Sequence, residues 1–327
     1  MLRKTLSFFL TVLLLAGCLA ACENGAAPKA GALRVVVTIS PVRDWILRIL
    51  GDNPAGADVT LLLNSGTDLH GYQPSAKDIL AVSTCDVFVC VGGESDRWVE
   101  DALREAVNKD MIVVRLLDAL GDAAKEEELA EGMQADRDRD GADEEEEGPE
   151  YDEHVWLSLR NAALLTGTLA DAFGSADPEH AGLYAENART FMEELSSLDA
   201  EYAAAVAAAP FGTLLFADRF PFRYMTEDYG LRYYAAFLGC SAETEASFET
   251  IAFLAGKVDE LGLPAVLTIE GTDHRIAETV VRTARAENVK ILSLDSMQSA
   301  SDGRGEYLAV MKKNLEVLKE ALGTEAP

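Results

Sequence analysis

The chain has 327 residues and a formal net charge of −28. Its length is sufficient for two domains with hydrophobic cores. The negative charge disfavours nucleic acid or an anionic lipid surface as partners and suits a protein that collects cations. Much of the charge is local, because residues 125–153 contain fifteen acids and three bases, a net charge of −12.

The first 22 residues have the pattern of a bacterial lipoprotein signal peptide. Arg3 and Lys4 precede an apolar run of about a dozen residues, which is too short to span a bilayer. Two motifs of small residues end at Cys18 and Cys22, and either cysteine fits as the lipidated residue. An ordinary secretory signal is the alternative. We therefore expect an extracytoplasmic protein that is anchored to the cell membrane by an N-terminal lipid and does not cross it.

Residues 23–33 have the composition of a flexible tether. Beyond them, short β-branched runs alternate with helical patterns, which predicts parallel sheets covered by helices on both faces. The predicted strands begin at Arg34, Asp58, Asp86, Met111, Thr213, Arg232, Ala265 and Lys290. Helices are predicted after Ser75 and at about 247–262, 273–287 and 303–322.

One long helix is predicted between the two groups of strands. Asp177 has the residue type of an N-cap, Pro178 suits the first helical position, and apolar residues spaced by three and four continue to about Ala208. We therefore expect an α/β fold with two lobes joined by this backbone helix. The predicted units are an N-terminal lobe at 34–174, the linking helix at 175–209 and a C-terminal lobe at 210–327. Ligands of such sheets bind beyond the carboxyl ends of the strands, here in the cleft between the lobes.

The acidic stretch, residues 122–150, interrupts this alternation. It has few apolar residues and no periodicity, which predicts a mobile surface loop. Cysteines give no disulfide framework, and we interpret Cys85, Cys90 and Cys240 as buried small hydrophobic residues.

Only four histidines are present. His180 and His274 lie at predicted helix starts and are interpreted as solvent-exposed. His70 and His154 lie in loops at the edges of the first lobe, where binding residues often gather. These two are the candidates for metal ligands.

The surroundings of His70 and His154 resemble a known family. Residues 66–75 look like the D-P-H-x-Y-E-P-S/T loop of the cluster A-I metal-binding lipoproteins of ABC importers, and residues 152–157 are similar to their D-P-H-x-W-L loop. Residues 240–247, 268–270 and 292–295 resemble three segments of the second lobe in that family. The resemblance covers essentially the whole chain beyond the signal peptide.

The resemblance implies a monomeric substrate-binding protein that holds zinc or manganese between two lobes and delivers it to the membrane permease of an ABC importer. It implies His70 and His154 as ligands from the first lobe and Asp295 from the second. Imidazoles with a carboxylate suit Zn²⁺, and Mn²⁺ is the second choice. A charged loop before the second ligand is typical of the zinc branch, and here an acidic loop takes that place.

One position departs from the family pattern. The third ligand of the family falls on Arg219, whose guanidinium stays protonated and cannot bind a metal. A neighbouring acid, Asp218 or Glu270, or water is expected to replace it, with Glu270 as our choice. We expect Arg219 to turn away from the metal and to pair with an acid such as Asp218, Glu243 or Glu270.

Two other functions remain compatible with these residues. A lipid-anchored metalloenzyme could use the same histidines and aspartate with an open water position. A lipoprotein that binds an anion at Arg219 is the second alternative. The sequence has no H-E-x-x-H or comparable catalytic signature, so we expect a binding protein and not an enzyme.

Overall fold

The computed structural model describes residues 32–63, 68–134, 150–241, 243, 245–298 and 307–324. The two candidate lipidation sites, Cys18 and Cys22, lie outside these residues. Across the described ranges, every helix is too short or too polar to cross a membrane. The described residues form two lobes, each built on a four-stranded parallel sheet, which confirms the predicted α/β architecture.

The first lobe has the strand order β2-β1-β3-β4, with every neighbouring pair parallel. Its strands are Arg34–Val37 (β1), Asp58–Leu61 (β2), Val87–Cys90 (β3) and Ile112–Arg115 (β4). The inner strand β3 is buried along its whole length. Burial on both faces explains why its sequence is continuously apolar, without the alternation of a half-exposed strand.

Short helices surround the first sheet. They are the α-helices Ser40–Leu50 (α1), Ala76–Thr84 (α2), Trp98–Arg104 (α3) and Leu116–Leu120 (α4), and the 3-10 helices Leu69–Gly71, Glu94–Asp96, Gly121–Ala123 and Val155–Leu157. Helix α2 starts after Ser75, as predicted, because Ser75 and Asp78 form a capping box that satisfies two backbone N–H groups.

Two long helices follow, Leu159–Ala176 (α5) and Ala181–Ala208 (α6), and they pack against each other. The sequence predicted only one of them and placed its start too early. Helix α6 begins after His180 and not at Pro178. Asp177 is not its N-cap, because the Asp177 carboxylate accepts hydrogen bonds from the His180 ring and the Tyr184 hydroxyl.

Helix α6 joins the lobes. Its 28 residues give a length of about 42 Å at 1.5 Å per residue. It packs against α1 of the first lobe, and near its other end the Tyr202 hydroxyl donates to the Met311 carbonyl of the second lobe at 2.6 Å. The buried side chains of α6 recur every three or four residues, namely Tyr184, Ala188, Phe191, Leu195, Leu198 and Tyr202.

The second lobe has the strand order β6-β5-β7-β8, again with parallel neighbours. Its strands are Thr213–Phe220 (β5), Arg232–Leu238 (β6), Ala265–Ile269 (β7) and Lys290–Leu294 (β8). Its helices are Arg223–Tyr229 (α7), Phe248–Leu261 (α8), Arg275–Thr283 (α9) and Tyr307–Ala321 (α10). The sequence did not predict the short α7, and the predicted helix at 303–322 is described from Tyr307 onward.

Strand β5 is irregular near its carboxyl end. Its pairing with β6 shifts register between Phe216 and Arg219. Such irregularities redirect side chains and are frequent next to functional sites. Here the register shift falls immediately before Arg219, the residue at which the sequence departs from the family pattern.

The acidic stretch is only partly as predicted, and residues 135–149 lie outside the described residues. The part before them packs against the second lobe. Met133 is buried, the Gln134 backbone N–H donates to the Ala236 carbonyl at 2.9 Å, and the Glu127 carboxylate accepts the Cys240 backbone N–H at 3.2 Å. The prediction of a mobile loop is therefore wrong for this part, because one apolar side chain and several hydrogen bonds attach it to the second lobe.

Candidate metal centre

Three potential metal ligands meet where the carboxyl ends of the two sheets face each other. The ligand atoms of His70, His154 and Cys240 all lie within 4.8 Å of one another. His70 belongs to the 3-10 helix after β2, His154 precedes the 3-10 helix Val155–Leu157, and Cys240 follows β6. The group therefore combines two imidazoles of the first lobe with a thiol of the second.

His154 is fully buried and held in one orientation. Its Nδ1 lies 2.9 Å from Asp152 Oδ1, and the same carboxylate oxygen accepts the His154 backbone N–H at 2.8 Å. A carboxylate can only accept hydrogen bonds, so Nδ1 carries the proton and Nε2 is left as an acceptor. This is the usual arrangement of a metal-binding histidine and its supporting carboxylate.

His70 is oriented by a second network. Asp68 accepts the His70 backbone N–H at 3.0 Å and so begins the 3-10 helix. The His70 Nδ1 lies 3.0 Å from the Ser95 hydroxyl, which donates its hydrogen to the Glu153 carboxylate at 2.5 Å. The hydroxyl oxygen can therefore accept the Nδ1 proton, and the His70 Nε2 is also left as an acceptor.

The electrostatics keep this site ready for a cation. Burial, the neighbouring His154 and the charge of Arg219 lower the pKa of His70 to about 3, so the imidazole is neutral at physiological pH. Burial also raises the pKa of Glu153 to about 7. With both Nδ1 atoms protonated, the two Nε2 atoms of His70 and His154 are both acceptors and lie 3.1 Å apart. Such an arrangement is unfavourable without a proton or a cation between the nitrogens.

The third member, Cys240, corrects an interpretation from the sequence. Cys85 and Cys90 are buried small hydrophobic residues, as expected, but Cys240 is only partly buried and its thiol joins the histidines. Burial raises the pKa of the Cys240 thiol well above its usual value, while a hydrogen bond from the Glu153 backbone N–H lowers it. The sequence did not indicate Cys240 as a possible metal ligand, apart from its position in a segment that resembles the family.

Gly239 explains how the chain brings Cys240 so close. A Cβ atom on residue 239 would lie 2.8 Å from the Phe220 carbonyl oxygen and 3.0 Å from Cε1 of the His154 ring. Only glycine allows the backbone to pass this close to the imidazole without displacing a neighbour.

The sequence reasoning also missed Gln298. This residue is buried, and its Nε2 lies 2.5 Å from the His154 Nε2. Its Oε1 has no hydrogen-bond partner among the described residues. Because the two ends of a carboxamide can be exchanged by a rotation of the group, the lone oxygen can also be turned towards the histidines.

The predicted carboxylate ligands occupy other positions. The Glu270 carboxylate accepts both the backbone N–H and the hydroxyl of Ser296, at 2.7 and 2.8 Å. Asp295 Oδ1 accepts the Met297 backbone N–H at 2.9 Å. Within the described ranges neither acid belongs to the group around His70 and His154. Their role as ligands stays a prediction.

Arg219 forms an ion pair with a partner that we did not expect. Its guanidinium forms a 2.8 Å ion pair with Asp68 of the first lobe, and it also donates to the Ser241 carbonyl at 3.4 Å. Burial alone raises the pKa of Asp68, but the hydrogen bond and charge of Arg219 outweigh it and lower that pKa. Two of the three expected partners make other contacts: Asp218 accepts the backbone N–H groups of Arg219 and Ile269, and Glu270 accepts hydrogen bonds from Ser296.

The other two histidines are separate from this group. The His180 Nδ1 lies 2.7 Å from the Asp177 carboxylate, and the His274 Nδ1 lies 3.0 Å from the Thr268 hydroxyl. Neither is fully exposed, although His180 keeps 26 % of its side-chain surface accessible.

Two parallel sheets joined by a long helix, with paired imidazoles between their carboxyl edges, define a two-lobed α/β protein with a candidate metal centre. The family profile described as "ZnuA: Zinc-uptake complex component A periplasmic" matches residues 35–321. The chain therefore belongs to the ZnuA family, which confirms the family suggested by its sequence motifs.

Individual relatives agree with this assignment. The zinc-binding lipoprotein AdcA of Streptococcus pneumoniae strain R6 is 30 % identical over 310 residues, which cover 94 % of this chain and 59 % of AdcA. The high-affinity zinc uptake system protein ZnuA of Bacillus subtilis strain 168 is 26 % identical, with 95 % and 94 % coverage. The crystal structure of Zn(II)-bound AdcA from S. pneumoniae has a TM-score of 0.69 at 27 % identity and covers 91 % of this chain and 59 % of AdcA. The chain thus spans little more than half the length of AdcA.

Proposed function

We propose that this protein is an extracytoplasmic substrate-binding protein that captures Zn²⁺ between its two lobes and delivers it to the membrane permease of an ABC importer. The observation that carries the proposal is the pair of Nε2 atoms of His70 and His154, 3.1 Å apart with both Nδ1 atoms engaged elsewhere. A zinc ion bound to two imidazole nitrogens removes the repulsion between their lone pairs and uses the neutral form of both rings.

Asp295 is our candidate for a carboxylate ligand from the second lobe. Its Oδ1 accepts the Met297 backbone N–H, and its other oxygen can bind a metal without loss of that hydrogen bond. Glu270 is less available because both of its oxygens accept hydrogen bonds from Ser296. A shift of the segment that follows β8 would bring Asp295 towards the histidines and so couple zinc capture to contact between the lobes.

The same proposal places the protein on the outer side of the cell membrane as a monomer, held by a lipid on Cys18 or Cys22. The name of the pneumococcal relative, a zinc-binding lipoprotein, supports the anchor. Capture and delivery require binding and release but no turnover. The proposed protein is therefore a carrier of zinc and not a zinc-dependent hydrolase.

The test is a metal analysis of the purified full-length chain, followed by titration of the metal-free protein with Zn²⁺ and Mn²⁺. We expect one tightly bound zinc ion per chain and much weaker binding of manganese. Absence of stoichiometric zinc binding would contradict the proposal. Tight binding of an anion in place of a metal would favour the alternative centred on Arg219, and turnover of an ester or amide substrate by the zinc-loaded protein would favour the metalloenzyme.

A further inference from the structure

The second lobe contributes one ready metal-binding group to the described cluster, the thiol of Cys240. The position that supplies a ligand in the family pattern is Arg219 here, and its guanidinium is committed to Asp68. The two histidines therefore need a third protein ligand from a different part of the second lobe. The thiol meets this need by its place in the fold, since the turn after β6 passes directly over the His154 ring.

The distances are close to those of a tetrahedral zinc site. Two nitrogens at about 2.0–2.1 Å from one tetrahedral zinc ion are about 3.4 Å apart. The His70 and His154 Nε2 atoms are 3.1 Å apart, so they need almost no movement. A sulfur at about 2.3 Å from the same ion lies about 3.6 Å from each nitrogen. One ring nitrogen of each histidine and the Cys240 sulfur already lie within 4.8 Å of one another, so the separation to close is on the order of 1 Å.

A second observation also indicates a ligand at this place. The buried Gln298 lies against the His154 Nε2, and its Oε1 is without a hydrogen-bond partner among the described residues. A buried carboxamide oxygen without a partner is costly unless a bound group satisfies it. After a rotation that exchanges the two ends of the carboxamide, this oxygen could bind a metal ion directly or accept a hydrogen bond from a water molecule on that ion.

We propose that Cys240 is the third protein ligand of the zinc ion, so that the site consists of His70, His154 and Cys240 with a fourth position left for water, Gln298 or Asp295. This inference rests on the proposed function. On binding, the thiol loses its proton to solvent and the sulfur donates an electron pair to the metal. The hydrogen bond from the Glu153 backbone N–H supports the thiolate.

A thiolate also bears on metal selectivity. Soft sulfur ligands favour zinc, whereas carboxylate and water ligands suit manganese. Cys240 should therefore contribute more to the affinity for Zn²⁺ than to the affinity for Mn²⁺. This gives the second lobe a way to discriminate between the two metals without a third histidine.

The experiment uses Co²⁺ as the probe, because cobalt reports its ligands by absorption. The metal-free full-length chain is titrated with Co²⁺, in parallel with Cys240→Ser, His70→Ala and the control Cys85→Ala. Zinc affinities come from competition with a chromophoric chelator, and circular dichroism checks the fold of each variant. We expect a sulfur-to-cobalt charge-transfer band in the near ultraviolet for the wild type and for Cys85→Ala. We expect Cys240→Ser to lose this band but keep the visible bands of bound cobalt. Its zinc affinity should fall by at least about 10-fold, because loss of an outer partner of a ligand alone costs about 10- to 100-fold.

The outcomes separate this inference from the proposed function. If cobalt binds, and His70→Ala abolishes its visible bands, but no charge-transfer band exists in the wild type, then the zinc site is real and Cys240 is not a ligand. If the wild type binds neither cobalt nor zinc, the proposed function itself fails. Equal losses of Zn²⁺ and Mn²⁺ affinity in folded Cys240→Ser would contradict the selectivity argument.

Discussion

The two lobes contribute to the metal centre in different ways. In the first lobe, each imidazole has a hydrogen-bond partner that fixes its tautomer, Asp152 for His154 and Ser95 for His70. In the second lobe, the nearest groups are a partly buried thiol at Cys240 and a carboxamide at Gln298. The irregular strand β5 directs its arginine to the first lobe instead of placing a ligand in the site.

The two lobes are therefore expected to make different contributions to zinc affinity and zinc release. Ligands that are held in place by other side chains lose little entropy on binding a metal, so the first lobe supplies a nearly formed half-site. The second lobe supplies groups that must move by about an ångström or exchange hydrogen bonds before they reach the ion. The first half should therefore dominate the affinity for zinc, and the second should tune it and control release.

The largest effect is expected when the first half is removed. In the double variant His70→Ala and His154→Ala, zinc affinity should fall by more than about 100-fold, since loss of an outer partner alone typically costs 10- to 100-fold. Both residues lie in loops at the sheet edges, so the fold should survive. Zinc competition titration measures the loss, and circular dichroism checks the fold.

The matched control is His180→Ala, which removes a histidine of the same chain from outside the site. It should bind zinc like the wild type. Wild-type zinc affinity in the folded double variant would mean that the metal binds elsewhere and that the first lobe does not dominate the affinity through these histidines.

The next effect tests whether orientation matters in the first lobe. Asp152→Asn replaces the carboxylate that fixes His154 by a carboxamide, which can also donate a hydrogen bond and so permits the wrong tautomer. We expect a 10- to 100-fold loss of zinc affinity with every ligand still present. Titration of Asp152→Asn beside Asp177→Asn, whose carboxylate contacts a histidine outside the site, measures it. Equal affinities for both variants would mean that the first lobe is not preorganised by this contact.

Much of the fold could be predicted from the sequence because its elements have strong local signals. The continuous apolar strands, the helix predicted after Ser75 and the apolar spacing along α6 all correspond to observed elements. Helix α5 was missed although its buried residues, from Leu159 to Phe173, recur every three or four positions, which is a helical signal in the sequence. The start of α6 was misplaced because Asp177 forms side-chain hydrogen bonds with His180 and Tyr184 in place of a cap.

From the sequence, only the two histidines of the candidate site could be predicted, because a histidine is a potential metal ligand by its residue type alone. His70 and His154 stand out because the chain has only four histidines and these two lie in predicted loops. The Asp68–Arg219 pair could not be foreseen, since its members are 151 residues apart and belong to different lobes. Cys240 and Gln298 were missed for a similar reason, because only the packing of the second lobe against His154 makes them part of the site.

Substitutions of Arg219 in the second lobe should change the zinc affinity by a smaller factor. Arg219→His adds an imidazole and removes a positive charge, so it should tighten zinc binding by about tenfold. Arg219→Gln is the matched control, which removes the charge without adding a ligand. It should tighten binding by only about two- to threefold, since Asp68 already compensates much of the charge. Zinc competition titration compares both with the wild type. Weaker binding by both folded variants would mean that the Asp68–Arg219 pair holds the lobes in a binding arrangement.

The smallest effect concerns the acidic stretch, residues 122–150, whose described part contacts the second lobe. Deletion of 135–147 should remove negative charge and leave the packed contacts of Glu127, Met133 and Gln134 in place. Carboxylates attract cations over a range that salt limits to about 10 Å at 0.1 M. We therefore expect zinc capture at low salt to slow by a few-fold, with little change at high salt or in the final affinity.

Stopped-flow measurements of zinc association at two salt concentrations provide the test, and the matched variant deletes 126–147. The longer deletion also removes the Glu127 contact with the Cys240 backbone, so it should lower the affinity itself. If the shorter deletion caused the same loss of affinity at high salt, residues 135–147 would supply ligands to the metal and not only charge.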